Sequence, residues 1–353
     1  MNATCIMIGN DYIGATYPIY IVAELSSNHC QQYDKAVELI KAAKAAGANA
    51  VKLQTFTPDT LTIQCDRPEF RISGGTLWDG RTLYDLYSEV YMPWEWQPKL
   101  KKVADKLGLE LFSTPFDQAA VDFLEEMDVQ AYKIASPEIV DIPLVEYIAS
   151  KGKPIIISTG MASLAEIDEA VSAARGAGAS QIALLKCTSA YPAPPAEMNI
   201  RTIPHLEKAF GLPVGLSDHT VGTSVPVAAV TLGACIIEKH FTLSRKHPSP
   251  DSAFSIEPNE FKVMVEAIRT CERALGKVLY EVTEQEVKSK AFRRSLYVVK
   301  DINKGGLFTA ENVRSIRPGN GLHPRHLNEV LGRRASQGIK LGTPLAWELI
   351  SCD

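Results

Sequence analysis

The chain has 353 residues, of which 46% are hydrophobic and 22% are charged, and its formal net charge is −4. This length suits one large domain plus a small one, and the composition is that of an ordinary soluble globular protein. The weak acidic charge excludes a polybasic nucleic-acid or membrane surface, and no apolar run approaches the ~18–20 residues that a membrane helix needs.

The cysteines and the first residues indicate a cytoplasmic location. The seven cysteines are odd in number and scattered, and some lie inside apolar strand-like runs, which favours reduced thiols over a disulfide framework. No CxxC pair occurs, so a thiolate zinc site is not expected. Residues 1–12 lack the basic and apolar regions of a signal peptide.

One pattern repeats from Ile19 onward: a β-branched apolar run ends in polar residues, and a segment with helical periodicity follows. Such segments alternate in a parallel sheet whose outer face is covered by helices. Eight of them within about 260 residues predict a closed (β/α)8 TIM barrel, an α/β fold, over residues 1–276. The runs are Ile19–Leu25, Ala50–Gln54, Glu110–Phe112, Ala131–Ala135, Pro154–Ile157, Ile182–Leu185, Pro213–Leu216 and Cys235–Ile237.

The intervening helices carry start and stop signals. Asp34–Ala46 has one apolar stripe and ends at a glycine. Ser163–Arg175 begins with a capping box formed by Ser163 and Glu166. Pro258–Leu275 reads as a long amphipathic helix.

One connection is much longer than the others. The insert Phe56–Pro93 follows the second strand and precedes a predicted helix at Trp94–Leu107. A long loop in a compact domain is usually functional. Because the loops that follow barrel strands lie at the C-terminal mouth, we expect the insert to lie over the active site.

The chain changes character after Gly276. Residues 277–290 read as a charged, helix-like linker, and residues 291–353 as short strands and turns rich in glycine and proline. A β domain of this size is marginal alone, so we expect it to pack on something. Arg317 leads a glycine-rich turn, which is either only a turn or a ligand contact carried to a barrel mouth.

Lysines and hydroxyls end several of the predicted strands. Lys52, Lys133 and Lys186 lie at strand ends beside Thr114 and Ser136. Point charges and hydroxyl donors together are what a phosphate needs, so the sequence predicts an anion pocket. The alternative is that these lysines form ion pairs inside the barrel or point outward.

Two histidines end the last two predicted strands, and each follows a carboxylate closely. His219 comes after Asp218, and His240 after Glu238. Imidazole and oxygen ligands with open positions suit a divalent Lewis acid such as Mn²⁺, Zn²⁺, Co²⁺ or Mg²⁺. The alternative is a pair of hydrogen-bonded core histidines.

Two carboxylates have open roles. Glu24, at the end of the first strand, is a candidate general acid or base, or else the counter-ion of Lys52. Asp251, in the loop after the eighth strand, is a candidate for orienting metal-bound water or a sugar hydroxyl, or else only stabilises the turn.

Two other functions compete with this interpretation. A rival enzyme class is a Schiff-base aldolase with Lys186 as its amine nucleophile. A non-enzymatic rival is a carbohydrate-binding protein.

A set of motifs covers nearly the whole chain. Together these motifs resemble the bacterial sialic-acid synthase family. They are Ala-Glu-Leu-Ser-Ser-Asn-His29, Val-Lys-Leu-Gln-Thr55, Phe-Ser-Thr-Pro-Phe116, Tyr-Lys-Ile-Ala-Ser-Pro-Glu138, Ser-Thr-Gly-Met161, Lys-Cys-Thr-Ser-Ala-Tyr-Pro192, Gly-Leu-Ser-Asp-His219, Glu-Lys-His-Phe241 and Ile-Arg-Pro-Gly-Asn-Gly321.

The resemblance implies a TIM barrel followed by a small β-rich antifreeze-like (SAF) domain. It also implies a homodimer in which the SAF domain of one subunit caps the barrel of the other, so that Arg317 contacts the acetamido group of the sugar. Phosphoenolpyruvate would be held by Lys52, Thr114, Lys133, Ser136 and Ser217. The metal, with Mn²⁺ first and Mg²⁺ or Co²⁺ as alternatives, would be held by His219 and His240, and the sugar by Tyr191, Glu238, Asp251 and Arg317.

The implied reaction joins phosphoenolpyruvate to the aldehyde of an acetamido sugar, with the metal polarising that aldehyde, Glu24 assisting water, and phosphate leaving by C–O cleavage. Motifs in the insert favour the branch that uses 2,4-diacetamido-2,4,6-trideoxy-L-altrose over the N-acetylneuraminate and legionaminate branches, which use N-acetylmannosamine-type sugars. Those branches typically have Asn at the position of Ser189. Ser249 stands where the family loop commonly has Gly, and a changed loop would displace Asp251.

Overall fold

The structure is a computed structural model that describes residues 4–247 and 249–352. The chain forms two compact units, of which the first ends at Gly276 and the second begins at Lys277. Within the described ranges, no helix combines the length and apolar character that a membrane crossing requires. No disulfide joins the seven cysteines, all of which lie in the described part of the chain.

The first unit is a closed barrel of eight parallel strands, preceded by a two-stranded hairpin. The hairpin strands are β1 (Ile6–Ile8) and β2 (Asp11–Ile13). The barrel strands are β3 (Tyr20–Glu24), β4 (Ala50–Thr55), β5 (Glu110–Pro115), β6 (Tyr132–Ile134), β7 (Ile155–Ser158), β8 (Ile182–Cys187), β9 (Val214–Asp218) and β10 (Ile236–His240). Strands β3 to β10 pair in chain order, and β10 closes the barrel against β3. The predicted (β/α)8 barrel is therefore confirmed, with its eight strands where the sequence placed them.

Helices cover the outside of the barrel, and several of them begin at side-chain caps. They are α1 (Tyr33–Ala45), α2 (Pro58–Leu61), α3 (Leu83–Val90), α4 (Gln97–Lys106), α5 (Gln118–Glu126), α6 (Ile142–Ala149), α7 (Leu164–Gly176), α8 (Thr202–Phe210), α9 (Ser224–Thr231) and α10 (Pro258–Leu275). Ser163 caps α7 in the predicted box with Glu166. The insert contributes α2 and α3, which lie outside the repeating β/α units.

Side chains of the barrel strands alternate between two cores. One set packs outward against the helices, as Ile21, Val51 and Leu216 do. The other set fills the barrel interior, as Val22 and Phe112 do. Because successive strand residues point to opposite faces, this alternation identifies which polar residue at each strand end faces inward.

A hairpin that the sequence analysis did not assign closes the N-terminal end of the barrel. Strands β1 and β2 pair antiparallel across a turn in which Gly9 has a φ of +57°. Ile6, Ile8 and Ile13 are fully buried in the same core as the interior residues of the barrel strands. An alternating apolar pattern around Gly-Asn is a known hairpin signal, and it was present in the sequence.

The second unit is a small β-rich fold with its own core. It contains α11 (Glu284–Ser289), β11 (Ser295–Val298), β12 (Val313–Ile316) and α12 (Leu327–Val330). Strands β11 and β12 pair antiparallel. Leu296, Phe308 and Leu345 are buried at its centre. Both strands lie within the segment that the sequence predicted to form short strands and turns.

Candidate active site

A ring of polar side chains faces the barrel interior at the C-terminal ends of the strands. Each lies two residues along its strand from another inward-facing residue. This ring comprises Glu24, Lys52, Gln54, Thr114, Lys133, Ser158, Cys187, Ser217, Glu238 and His240. The sequence analysis singled out most of these positions as strand ends, and the barrel brings them together.

Glu24, Lys52 and Glu238 form a buried charged triad. The Lys52 ammonium contacts Glu24 directly and lies 3.7 Å from Glu238 Oε1. Adjacent strands align these residues, because β10 and β4 flank β3. Burial raises the pKa of Glu24 more than Lys52 lowers it, whereas Lys52 and Lys133 together overcome burial and hold the pKa of Glu238 below its ordinary value. Glu24 is thus a counter-ion of Lys52 and also a carboxyl group that binds a proton more readily than an ordinary glutamate does.

The predicted phosphoenolpyruvate residues lie within and beside this ring. Lys52 Nζ is 3.3 Å from Thr114 Oγ1, and Ser217 Oγ donates to Glu238 Oε1 at 3.1 Å. Lys133 Nζ donates to Ser158 Oγ at 2.6 Å and forms no ion pair among the described residues. Burial lowers the pKa of Lys133. A cation buried without a carboxylate partner favours an incoming anion.

Ser136 lies beside a close approach of the backbone. Its hydroxyl accepts a hydrogen bond from the Gly160 N–H at 3.0 Å. A Cβ on Gly160 would lie 2.7 Å from Ser136 Oγ, and it would also collide with Ser189. This part of the site therefore needs a glycine.

Lys186 and Asp218 do not face the interior, which corrects two expectations. Lys186 follows the outward-facing Leu184 by two residues, and its ammonium donates to Cys187 O at 2.6 Å and Thr188 Oγ1 at 3.1 Å. It is therefore not part of the anion pocket, and its position disfavours a Schiff-base aldolase. Asp218 pairs with the buried Lys239 behind the barrel wall rather than with the histidines.

The two histidines meet at the mouth of the barrel. Their ring centroids are 5.2 Å apart. His219 Nδ1 lies 2.9 Å from the Thr188 carbonyl oxygen, which can only accept, so Nδ1 carries the hydrogen and Nε2 has a free lone pair. His240 Nδ1 is buried with no partner among the described residues, and burial holds the pKa of His240 well below its ordinary value. A metal would bind the neutral form of each ring, and no group of three metal-ligating side chains occurs in the described ranges.

Tyr191 and Asp251 lie next to the histidines. The Tyr191 ring is 4.4 Å from the His219 ring, centroid to centroid. Asp251 Oδ2 accepts from the Ser26 hydroxyl and from the Ser27 N–H at 3.1 Å. The Ser249 hydroxyl donates to Asn28 Oδ1 at 2.6 Å and so ties this loop to the turn that follows β3. Arg317 lies in the second unit, before the turn that follows β12.

A cavity of about 420 Å³ opens above this ring. Ser26, Gln54, Tyr191, His240 and Asp251 line one side of it. The insert lies on the other side, as the sequence predicted. The apolar residues that the insert contributes are Phe56, Leu61, Ile72, Trp78, Leu83, Leu86, Tyr87 and Val90.

Gln54 and Ser158, at the ends of the second and fifth predicted strands, share the inward face with Lys52 and Ile156. Sequence analysis assigned no role to Cys187 or to Glu138. Glu138 lines the cavity, and its Oε2 is buried with no partner among the described residues. Burial raises the pKa of Glu138 to about 7. No spacing rule predicts this position, because Glu138 lies in a 3-10 turn beyond the strand.

Comparison with known proteins identifies both units. Residues 39–280 match the NeuB family, and residues 293–351 match the SAF domain. The pseudaminic acid synthase of Campylobacter jejuni is 46% identical, over 93% of this chain and 95% of that protein. The N,N'-diacetyllegionaminic acid synthase of Legionella pneumophila is 37% identical, over 96% of each.

The fold comparison agrees with the sequence comparison. The crystal structure of the N-acetylneuraminic acid (sialic acid) synthetase from Leptospira borgpetersenii, in complex with citrate, superposes with a TM-score of 0.73. It is 31% identical in sequence and covers 81% of this chain and 95% of its own.

Proposed function

The chain belongs to the NeuB family, and we propose that it condenses phosphoenolpyruvate with 2,4-diacetamido-2,4,6-trideoxy-L-altrose to give pseudaminic acid and phosphate. The observation that carries the chemistry is the buried lysine-and-hydroxyl cluster at Lys52 and Lys133, beneath a cavity that His240 lines and next to the neighbouring His219 ring. The choice of sugar is supported by the identity of 46% to a pseudaminic acid synthase, against 37% to a legionaminic acid synthase.

The inward-facing lysines and hydroxyl groups would bind phosphoenolpyruvate. Lys52 and Lys133 supply charge, and Thr114, Ser136 and Ser217 supply hydroxyl donors within the same cluster. These side chains are already held by packing and by each other, so they would orient the enol carbon toward the cavity without reorganisation.

A divalent cation, with Mn²⁺ first, would be held by His219 and His240. Their free nitrogen positions suit it, and as a Lewis acid it would polarise the aldehyde of the sugar. Since burial alone lowers the pKa of His219 but the Cys187 contact raises it above its ordinary value, cation binding would compete with a proton there.

The remaining steps use this chain's carboxyl groups and tyrosine. C3 of phosphoenolpyruvate bonds to the aldehyde carbon as the enol and carbonyl π bonds open, so the aldehyde oxygen takes up a proton and C2 becomes electron-poor. Water adds to C2 while Glu24 accepts its proton. The C2 hydroxyl then loses its proton as the C2–O bond to phosphate breaks, which gives the keto acid and phosphate. Tyr191, Glu238 and Asp251 would position the sugar, with Tyr191 packing beside the histidines and Asp251 lining the cavity.

We also propose a homodimer in which the SAF domain of each subunit completes the site of the other, with Arg317 contacting the acetamido group. Exposed apolar side chains along the connecting segment support an interface. Val278 is 87% exposed, Tyr280 98% and Phe292 64%. Large apolar groups in such a series are typical of a surface that another chain covers.

One assay tests the proposed reaction. The enzyme is stripped with a chelator and incubated with phosphoenolpyruvate, Mn²⁺ and a panel of acetamido sugars, while phosphate release and product mass are measured. We expect activity only with metal, and the highest kcat/KM with the trideoxy sugar. Full activity in the metal-free enzyme contradicts the metal role, and a preference for N-acetylmannosamine contradicts the proposed sugar. The Glu24→Gln variant serves as the inactive control.

A further inference from the structure

The two sides of the cavity differ in chemistry. The barrel side presents Gln54, His240 and Asp251, which are hydrogen-bonding groups. Apart from Thr76, the insert side is apolar. We call this surface the insert wall and define it as Phe56, Leu61, Ile72, Leu83, Leu86, Tyr87 and Val90. A ligand in this cavity would therefore meet polar partners at one end and hydrocarbon at the other.

The insert wall is a built surface. Helix α3 presents Leu83, Leu86, Tyr87 and Val90, a spacing that places all four on one helical face. The Tyr87 ring packs edge-on against Phe56, with centroids 5.8 Å apart. The Thr82 hydroxyl caps α3 by accepting from the Asp85 N–H at 3.1 Å.

Ile72 is fixed in the same wall by the backbone of the insert. Its N–H donates to Arg81 O at 2.9 Å, and its carbonyl accepts from the Gly80 N–H at 2.9 Å. These two bonds hold the segment before the glycine-rich turn against the segment that leads into α3. The position of Ile72 is therefore set before a ligand arrives.

The charged residues of the insert point elsewhere. Arg67 pairs with Glu69, Arg71 with Asp66 and Arg81 with Glu89, and none of the six lines the cavity. Tyr84 donates to Asp59 and is also absent from the lining. The insert thus offers its apolar face to the cavity and its ionic pairs to the surface.

We propose that the insert wall is the subsite for the C6 methyl group, and that it selects 6-deoxy acetamido sugars over their 6-hydroxy counterparts. This inference rests on the proposed function. With the aldehyde at the His219 and His240 end, the far end of the open-chain sugar meets the insert wall. A methyl group gains by leaving water there, whereas a hydroxyl packed against these hydrocarbon groups loses its water partners.

The expected discrimination is moderate. An apolar pocket rejects an added hydroxyl by roughly 10–100-fold in kcat/KM. The wild-type enzyme should show this ratio between 2,4-diacetamido-2,4,6-trideoxy-L-altrose and the same sugar with a C6 hydroxyl. The KM for phosphoenolpyruvate should be the same with both sugars.

The test uses paired variants of the full-length protein. Ile72→Asn places an amide in the wall, and Ile63→Asn makes the same change at an insert position that is 60% exposed. Leu83→Asn and Leu77→Asn form a second pair, because Leu77 is 53% exposed. We expect the two wall variants to lower the ratio of kcat/KM between the deoxy and the hydroxy sugar about tenfold, because the KM for the deoxy sugar rises. The two control variants should keep the wild-type ratio.

Two results would overturn the inference. One is a wild-type enzyme that uses both sugars equally well. The other is a pair of wall variants that lose activity on both sugars by the same factor while thermal unfolding stays normal. Either result leaves the proposed reaction intact, whereas absence of phosphate release with every acetamido sugar refutes the reaction itself.

Discussion

Lys52 lies between two carboxylates in the barrel interior, and only 4% of its surface is exposed. Two acidic groups at this depth depend on the lysine charge, because water does not reach them. The same ammonium is a proposed ligand for phosphoenolpyruvate. The Lys52 Nζ atom would therefore both stabilise the fold and bind the substrate.

Replacing Lys52 with Met should destabilise the barrel by about 3–5 kcal/mol, because Glu24 and Glu238 would lose their buried counter-ion. Both carboxyl groups would then bind protons more readily when folded, so the loss should be larger at high pH than at low pH. Denaturant unfolding at several pH values measures it. Lys101→Met, which removes an i,i+4 pair with Asp105, should cost only about 0.3–0.5 kcal/mol. Equal losses in the two variants would refute the argument.

Glu138 should make stability depend on pH. Its pKa is raised from 4.5 to about 7 in the folded protein, so the folded state binds a proton that the unfolded state has released. Stability from this group is present below pH 4.5 and is lost as pH rises through about 7. Glu138→Gln should flatten that dependence, by up to about 3 kcal/mol between the two limits. Parallel stability–pH curves for wild type and variant would contradict the assignment.

For single residues, the sequence predicted which polar residues end the strands better than it predicted which way their side chains point. Lys52, Lys133 and Glu238 were identified as strand ends, and all three face inward. Lys186 was identified by the same reasoning but lies one residue out of phase, and therefore faces away. The direction follows from the two-residue period of a strand, which the identity of a strand-end residue does not reveal.

The barrel strands were predictable because each carries its own apolar run, bounded by polar residues and glycine. The hairpin of β1 and β2 was not assigned because each strand has only three residues. Such short strands gain stability from the barrel rather than from each other. Their contribution depends on contacts distant in sequence, which local patterns do not report.

The hairpin should contribute to stability through one face only. Ile8→Ala removes a side chain with no exposed surface and should cost about 2–5 kcal/mol, because the barrel floor cannot collapse to fill the space. Met7→Ala, on the neighbouring position of the same strand, removes a side chain that is 42% exposed and should change stability by less than about 0.5 kcal/mol. Thermal unfolding compares the two variants. Similar losses of stability in the two variants would mean that the hairpin does not close the barrel through its buried face.

At the scale of the molecule, the proposed exchange of SAF domains can be tested by complementation. Glu24→Gln removes the barrel function, and Arg317→Ala removes the proposed contact from the SAF domain. If domains are exchanged, a mixed dimer contains one intact site, and random mixing should restore about a quarter of wild-type activity. Co-expression of two differently tagged variants measures this. If each SAF domain served its own barrel, every site in the mixture would be defective and no activity would return.

The hairpin floor also has a kinetic consequence. Because Ile6, Ile8 and Ile13 fill the N-terminal end of the barrel, ligands can enter only from the C-terminal end. Lys133 is 1% exposed and lies below the cavity that Gln54 and His240 line, so the phosphate ligand must pass the sugar position to reach it. Phosphoenolpyruvate should therefore bind first and the sugar second. A sugar analogue reduced at its aldehyde should therefore inhibit uncompetitively against phosphoenolpyruvate. A noncompetitive pattern would contradict this order, because it would mean that the analogue also binds to enzyme that holds no phosphoenolpyruvate.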